Sequence, residues 1–533
     1  MKHGGIVMFR TQELLSTLTV SLLSLPAFGA TTYIIKMRAG AELPPNLKMQ
    51  TSLPKLGLAI VSAEPLEAFV TERNTRVEFI EPEIIFKAPS GPQLSPGAKT
   101  SKSFASPSST WGLQAVRSAQ AWAAATRNPY GRGARVAVLD TGIDREHADL
   151  RAAFEDGRDF SDGWLQSDSN FSDSVGHGTH VSGTIAGARG DHGAIGVAPG
   201  ARVIMAKVCT NSGCSSSDIV KGMEWAIEQK VDVMNMSIGS KRTSRAISSA
   251  LTSADQSGIA VVVSSGNENA SEVTFPASVP SVIAVGAINE QLERAIWNSG
   301  KGGSNYGGNL SVMAPGNNVL SSVPTGSGQE SHVLFASGEE FASVPMRGTP
   351  FTKVPITAEI VDVGFGTDSD YSNRDLSGKI ALVERGADVS FRNKVKGAHE
   401  HDAIGVILFN DKDGLVPGSV LTEDGAKAAI PASMIEQKIG QALRARMAAG
   451  ETVSLQLAII ESSYGLMNGT SMAAPHVTGV IALMKAENPN LTPSQIKAIL
   501  KSTAHPLKCS TNEKNECGAG LVDAEAAVKA SSI

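Results

Sequence analysis

The sequence predicts an α/β protein, a parallel sheet flanked by helices, with a small α+β domain in front and an inserted mainly-β domain. Three observations carry this. Short apolar runs at 136–139, 203–206, 231–234 and 259–263 are separated by helical stretches such as 219–229 and 244–256, the pattern of buried parallel strands joined by crossover helices. Residues 88–109 are crowded with Ser, Pro, Gly and Lys, lack periodicity and cut off an N-terminal unit. From about 325 to 464 the pattern turns to alternating β-type runs around a local strand–helix–strand: 379–383, a helix with Phe391 and Val395 on one face, and 404–409.

Taken in order, Lys2 and Arg10 precede a moderately apolar stretch, 14–25, that ends in Pro26-Ala27-Phe28-Gly29-Ala30. The small residues at Ala27 and Gly29 suit cleavage after Gly29, so 1–29 reads as a signal peptide. Residues 30–87 form the small α+β unit: Tyr33-Ile34-Ile35-Lys36-Met37 and Gly57-Leu58-Ala59-Ile60-Val61 look like strands, and Val77-Glu78-Phe79-Ile80 alternates charged with apolar groups. After the linker 88–109, the α/β body occupies 110–324 and resumes at 465–533, with helices expected near 471–485 and 493–503. The insertion 325–464 separates the two parts. No other stretch approaches the roughly 18 apolar residues that a bilayer span needs, so no membrane span is expected.

An apolar fraction of 41% and a charged fraction of 19% over 533 residues exclude a disordered or fibrous chain. The net charge of −5 excludes a basic nucleic-acid binder. Charge is unevenly spread: residues 1–105 carry 11 Lys/Arg against 8 Glu, and Asp140 is the first aspartate in the chain. A basic N-terminal piece before an acidic body suits a segment that docks on that body. The four cysteines form two local pairs, Cys209 with Cys214 and Cys509 with Cys517, without zinc-ligand spacing. Two small disulfides fit an exported protein. Three pairings exist, and the spacing favours the local one.

Three segments carry chemistry. In Val136-Ala137-Val138-Leu139-Asp140-Thr141-Gly142-Ile143-Asp144 a carboxylate follows directly on an apolar strand, where α/β proteins place their sites. In Gly176-His177-Gly178-Thr179-His180-Val181 a histidine opens a helix between glycines, open for general-base work. Metal binding is the rival there, but the metalloprotease pattern sets its histidines four apart with a Glu between. In Asn468-Gly469-Thr470-Ser471-Met472-Ala473-Ala474-Pro475-His476, Ser471 opens a helix where free N–H groups suit a developing oxyanion, with Pro475 tolerated near the first turn. An esterase would want Gly-x-Ser-x-Gly and the order Ser, Asp, His.

The order Asp140, His177, Ser471 with these flanking motifs resembles the subtilisin-like serine peptidases, or subtilases. Asn235-Met236-Ser237-Ile238-Gly239, Ser265-Gly266-Asn267-Glu268 and Cys517-Gly518-Ala519-Gly520-Leu521-Val522-Asp523 extend the resemblance over nearly all of 111–324 and 465–533. It implies Ser471 as nucleophile, His177 as general base and acid, and Asp140 as the group orienting the imidazole. Asn267 is implied as the oxyanion residue, and Ser237, Ile238 and Gly239 as the segment pairing with substrate backbone. His180 and His476 are expected to pack around the helices, Asp144 to serve a turn, and His399 and His401 to be solvated.

The resemblance implies further expectations. The chemistry needs no cofactor. Asp149 and Gln114 fall where some subtilases place calcium-binding side chains, and 188–194 matches their calcium loop in length, but Arg189 and Gly190 stand where that loop often carries Asn. The unit 30–87 resembles a subtilisin propeptide, a chaperone and inhibitor released by cleavage within 88–109. The insertion resembles a protease-associated (PA) domain, through Asp375-Leu376-Ser377-Gly378-Lys379-Ile380-Ala381-Leu382-Val383-Glu384-Arg385-Gly386 and Ile404-Gly405-Val406-Ile407-Leu408-Phe409-Asn410, and is expected to border the cleft. The implied protein is a secreted, monomeric endopeptidase acting on protein or peptide substrates.

Overall fold

The computed structural model describes residues 31–532 except 46, 66–67, 69–70, 72–73, 90–109, 162–169, 191–192, 298–301, 373, 413, 416–417, 423 and 510–514. The expected signal peptide, 1–29, and nearly all of the expected linker lie outside the described residues. Two compact units divide between Ile84 and Ile85, three residues before the expected end of the first domain at 87.

The first unit is an antiparallel sheet of β1 (Thr31–Met37), β2 (Lys48–Leu53), β3 (Leu58–Ala63) and β4 (Val77–Pro82) in the order β2-β3-β1-β4. Its alternating residues place Tyr33, Ile35, Val61 and Val77 in one core with Ala68, which is helical.

The second unit opens with β5 (Ile85–Phe86) and the helices α1 (Trp111–Ala115) and α2 (Ser118–Ala124). Next come β6 (Arg135–Asp140), β7 (Phe154–Asp159), α3 (His177–Ala186), β8 (Arg202–Lys207), β9 (Cys209–Thr210), β10 (Gly213–Ser215) and α4 (Ser216–Glu228). β11 (Val233–Met236), α5 (Arg245–Gln256), β12 (Ala260–Ser264), β13 (Ile283–Ile288), the ribbon β14 (Ile296–Trp297) and β15 (Gly302–Gly303), β16 (Leu310–Pro315) and β17 (Val319–Ser322) complete the part before the insertion. Seven of these strands make one wholly parallel sheet, β16-β13-β12-β11-β6-β8-β7. Strands β11, β12, β13 and β16 are buried throughout, which is why apolar residues dominate them. β7 is the exception. As an edge strand of sequence Phe-Glu-Asp-Gly-Arg-Asp it carries no apolar run and could not be recognised from one.

The insertion is an eight-stranded mixed sheet, β19-β18-β25-β21-β22-β23-β24-β20, from β18 (Gly328–Phe335), β19 (Glu340–Phe341), β20 (Ser343–Pro345), β21 (Ile356–Asp362), β22 (Ile380–Glu384), β23 (Gly405–Phe409), β24 (Ala432–Ile435) and β25 (Ser454–Ser462). Its helices are α6 (Asp368–Tyr371), α7 (Phe391–Glu400) and α8 (Gln437–Ala448). Alternation along β22 and β23 splits the core. Ala381, Val383, Val406 and Leu408 pack with Val395 of α7, whereas Ile380, Leu382, Ile407 and Phe409 pack with Leu443 of α8. The chain leaves the insertion through β26 (Tyr464–Met467), antiparallel to β17, so both ends of the insertion share one two-stranded ribbon.

The helices α9 (Thr470–Glu487), α10 (Pro493–Thr503) and α11 (Ala524–Ser531) finish the chain. α9 is buried along nearly its whole length and packs on α3, β11, β12 and β13. Among the described residues no helix is long and apolar enough to cross a membrane.

His180 of α3 and His476 of α9 are fully buried, and desolvation is the main cause that lowers their pKa values to about 3 and about 4. Both imidazoles are therefore neutral in the fold, while in the unfolded chain they take protons below about 6.5. Their contribution to stability is complete above that pH and is lost as pH falls toward 4. Urea unfolding of a Ser471→Ala protein is expected to show a loss of about 2 kcal/mol or more between pH 7 and pH 5. The His476→Gln variant should lose less over the same interval.

Candidate active site

β6 and β11 are neighbours in register, Leu139 opposite Met236, so Asp140 and Ser237 follow from adjacent strand ends at the carboxyl edge of the sheet. Asp140 is wholly buried, and its Oδ1 accepts from the Thr141 amide at 2.8 Å. The same oxygen lies 2.7 Å from His177 Nδ1. His177 is the first residue of α3. The approach of the helix requires glycine: a Cβ on Gly178 would stand 2.2 Å from the Gly142 carbonyl oxygen, and Gly142 itself has φ +117°.

Ser471 stands in the first turn of α9. Pro475 is the sixth residue of this helix, deeper than the first-turn place expected for it, and has no N–H to give the Ser471 carbonyl. That carbonyl instead accepts the Ser237 hydroxyl at 3.0 Å, and Ser237 Oγ accepts from Asn235 Nδ2 at 3.1 Å. Thr478 of α9 closes the chain onto Asn235 Oδ1 at 2.8 Å. The missing backbone bond is thus replaced by a tether from the Ser471 backbone to the 237–239 segment. Ser471 Oγ lies 3.4 Å from the Ser237 carbonyl. The Asn267 Oδ1 accepts from both the Thr470 amide (2.9 Å) and its hydroxyl (3.0 Å), which leaves Nδ2 as the end free for a ligand.

Asp173 was not singled out in the sequence, where it sits in a run of Ser and Asp. Its buried carboxylate accepts five hydrogen bonds. Thr141 Oγ1 (2.9 Å), Val175 N (3.0 Å) and Gly176 N (2.7 Å) converge on Oδ1, and Thr179 N (2.8 Å) and Oγ1 (2.7 Å) on Oδ2. It caps α3, whose Gly176 N-cap has no side chain to do so, and ties the helix to the residue after Asp140. A carboxylate four residues before a helix-opening His-Gly-Thr was the available signal.

His177, Ser237, Ile238, Gly239, Asn267 and Ser471 line one cavity of 440 Å³. Lys87, Ala88 and Pro89, the residues after β5, line it too. Among the described residues, none of those lining it comes from the insertion, which was expected to border the cleft. The insertion is tied to the loop after Asp140. Asp144 Oδ2 accepts from the Thr325 amide (2.9 Å) and hydroxyl (2.6 Å), and these bonds with the Glu146 amide outweigh burial and lower its pKa. His147 Nε2 lies 2.9 Å from the Ser463 carbonyl oxygen.

Of the expected calcium side chains, Gln114 is exposed on α1, whereas Asp149 is buried. Burial is the main cause raising the Asp149 pKa, against hydrogen bonds from the Ala194 amide at 3.0 Å and the Tyr464 hydroxyl. In the adjoining loop the Arg189 guanidinium lies over Tyr130, 4.8 Å from the ring centre. A calcium cage wants several charged oxygens, and among the described residues no group of three or more His, Cys, Asp or Glu could hold a metal. Among the described residues of 188–194 no side chain offers the ion an oxygen. The cysteines pair locally, Cys209 with Cys214 and Cys509 with Cys517. In the insertion, His401 stacks on Tyr371 and His399 is exposed on α7.

Comparison with known proteins agrees with this geometry. The Subtilase family matches residues 131–345 and 436–520, and the PA domain matches 356–443. The minor extracellular protease Vpr of Bacillus subtilis is 30% identical over 460 residues, covering 76% of this chain and 52% of its own length. Alkaline elastase YaB of a Bacillus species is 42% identical over 215 residues, or 40% of this chain and 53% of its own length. The chain therefore spans about half the length of these curated relatives. The crystal structure of the psychrophilic subtilisin-like protease Apa1 from Pseudoalteromonas sp. AS-11 superposes with a TM-score of 0.59 at 26% identity, covering 79% of this chain and 97% of that one. With more than half of its residues matched, and the match interrupted where the inserted domain stands, this chain belongs to the subtilase family.

Proposed function

We propose that the protein is a secreted serine endopeptidase, made as a self-processing zymogen, that hydrolyses peptide bonds of proteins through Asp140, His177 and Ser471. The observation that carries this reading is the 2.7 Å contact between Asp140 Oδ1 and His177 Nδ1 in a cavity that also holds Ser471 and Asn267. Ser471 Oγ attacks the scissile carbonyl as His177 Nε2 takes its proton; Asp140 keeps the Nδ1–H tautomer and stabilises the imidazolium. The negative oxygen of the tetrahedral intermediate is held by Asn267 Nδ2 and by the Ser471 N–H, one of the unpaired donors of the α9 first turn. His177 returns the proton to the leaving amine, and water cleaves the acyl-enzyme by the same steps in reverse.

Self-processing is supported by the extended chain before the cavity: β5 pairs with β10, and Lys87, Ala88 and Pro89 run on among the residues of the site. A segment so placed obstructs the cleft until the chain is cut beyond it. Export is supported by the two disulfides and by the name of the extracellular relative Vpr.

Intact mass of the exported protein beside its Ser471→Ala variant tests the reading. Wild type should lose everything up to the 88–109 linker while the variant keeps it; equal trimming of both would refute self-processing. For Asp173→Asn, one amide cannot accept all five donors, so α3 and the Thr141 turn are displaced. The expected result is a fall in kcat of about 10- to 100-fold with KM within about twofold; an unchanged kcat removes Asp173 from the positioning of His177. For the 188–194 loop we propose that hydrogen bonding to Asp149 takes the place of calcium. A chelator should leave the melting temperature unmoved, and Tyr464→Phe should cost about 1–3 kcal/mol; a drop of several degrees with chelator would show that the ion is bound.

A further inference from the structure

The hairpin of β9 and β10 has no part in the chemistry proposed above, yet it is where an extended chain meets the cleft. β5 joins it as a third strand, with Phe86 opposite Cys214 and Ile85 opposite Ser215. On its other side Cys214 is opposite Cys209, to which it is covalently bonded. Both cysteines are wholly buried. The receiving strand is bare where the visitor lies closest: a Cβ on Gly213, at φ +132°, would stand 2.5 Å from the Phe86 carbonyl oxygen and 2.7 Å from Ile85 Cγ2. The Phe86 ring is buried with its centre 6.3 Å from that of Phe275.

Without a third strand, this hairpin of two- and three-residue strands is short of what holds a ribbon together in water. Its ends are fixed. β9 follows Val208, whose amide donates to the Asp140 carbonyl at 2.9 Å, and Ser215 Oγ accepts from the Asp218 amide at 3.1 Å to cap α4. Between those ends β10 is held to β9 by the pairing of Gly213 with Thr210, by the Ser212 amide on Thr210 Oγ1 at 3.1 Å, and covalently by the disulfide. We propose that the Cys209–Cys214 bond is a positioning element for substrate. It holds the β10 edge in place to receive the upstream part of an extended peptide after the 85–89 segment has gone. The proposal rests on the peptidase reading.

It also predicts which substrates depend on the bond. Three residues, Lys87, Ala88 and Pro89, follow the strand-paired Phe86 to the end of the segment seen in the cavity. Only peptides with about four or more residues before the scissile bond reach β10; shorter ones are held by the cavity alone.

The test compares the mature enzyme with two variants, Cys209→Ala/Cys214→Ala and, as control, Cys509→Ala/Cys517→Ala. Two chromogenic peptides share the leaving group and the residue at the scissile bond; one carries a single residue before it and the other five. With the β9–β10 bond removed, kcat/KM on the long peptide should fall about tenfold through KM, from the loss of one or two backbone hydrogen bonds. On the short peptide it should stay within about twofold, and the control should match wild type on both. Equal losses on the two peptides, or none on the long one, overturn the proposal. Wild type that cleaves neither peptide overturns the peptidase reading instead. If the first variant does not mature, reducing the mature control variant opens the β9–β10 bond alone, and the same two peptides decide.

Discussion

A helix that is apolar on every side but must present its first turn to a ligand is the constraint on which this protein depends. α9 can bury itself only by running through the middle of the second unit, against the sheet on one side and α3 on another. Once it lies there, the N-terminal turn with Ser471 emerges only at the carboxyl edge of the sheet, where β6 and β11 deliver Asp140 and Ser237. Pro475 weakens the helix one turn inside, and the freed carbonyl is the one the Ser237 hydroxyl takes. The break in the helix and the alignment of the cleft are therefore one structural event.

The electrostatics around this axis are divided by role. His180 and His476 lie within the packing and are held neutral by desolvation, so that they behave as shaped, hydrogen-bonding core residues: His180 Nε2 lies 2.9 Å from the Val319 carbonyl oxygen, and His476 Nδ1 2.8 Å from that of Met472. His177, on the same helix as His180, differs by having a carboxylate within hydrogen-bonding distance. Asp173 then supplies a second buried carboxylate whose demand for donors is met by α3 and the Thr141 turn. One acidic group faces the imidazole, and the other holds the frame in which it sits.

Much of the site was legible because its chemistry lies where local signals are strongest. Asp140 ends an apolar strand, His177 follows a glycine at a helix start, and Ser471 precedes a long apolar helix. Each can be placed from its immediate neighbours. The strands that went unnamed differ in kind. β7 is charged because it is an edge, while β13 and β16 fall in a stretch rich in Gly, Ser and Asn without helices to frame them. The insertion was visible as a change of period, but its relation to the cleft depends on tertiary contacts such as Asp144 with Thr325, 181 residues apart in sequence. The same holds for Asp149. Its partner Tyr464 stands at the far end of the insertion, out of reach of any local signal. Pro475 was legible as a residue and misread as a position, because the helix begins one residue earlier than its nucleophile.

The pairing of β17 with β26 has an architectural consequence. From the side of the parallel sheet, the inserted domain is no more than the turn of a hairpin, since the chain departs and returns on adjacent strands. A folded body whose ends are held that close adds little to the entropy of closing the ribbon, however many residues it contains. The host fold is thus indifferent to the size of its passenger. Among the described residues, Asp144, His147 and Asp149, all within one short loop, serve as moorings through Thr325, Ser463 and Tyr464, so that exchanging the domain for another cargo disturbs one loop of the host.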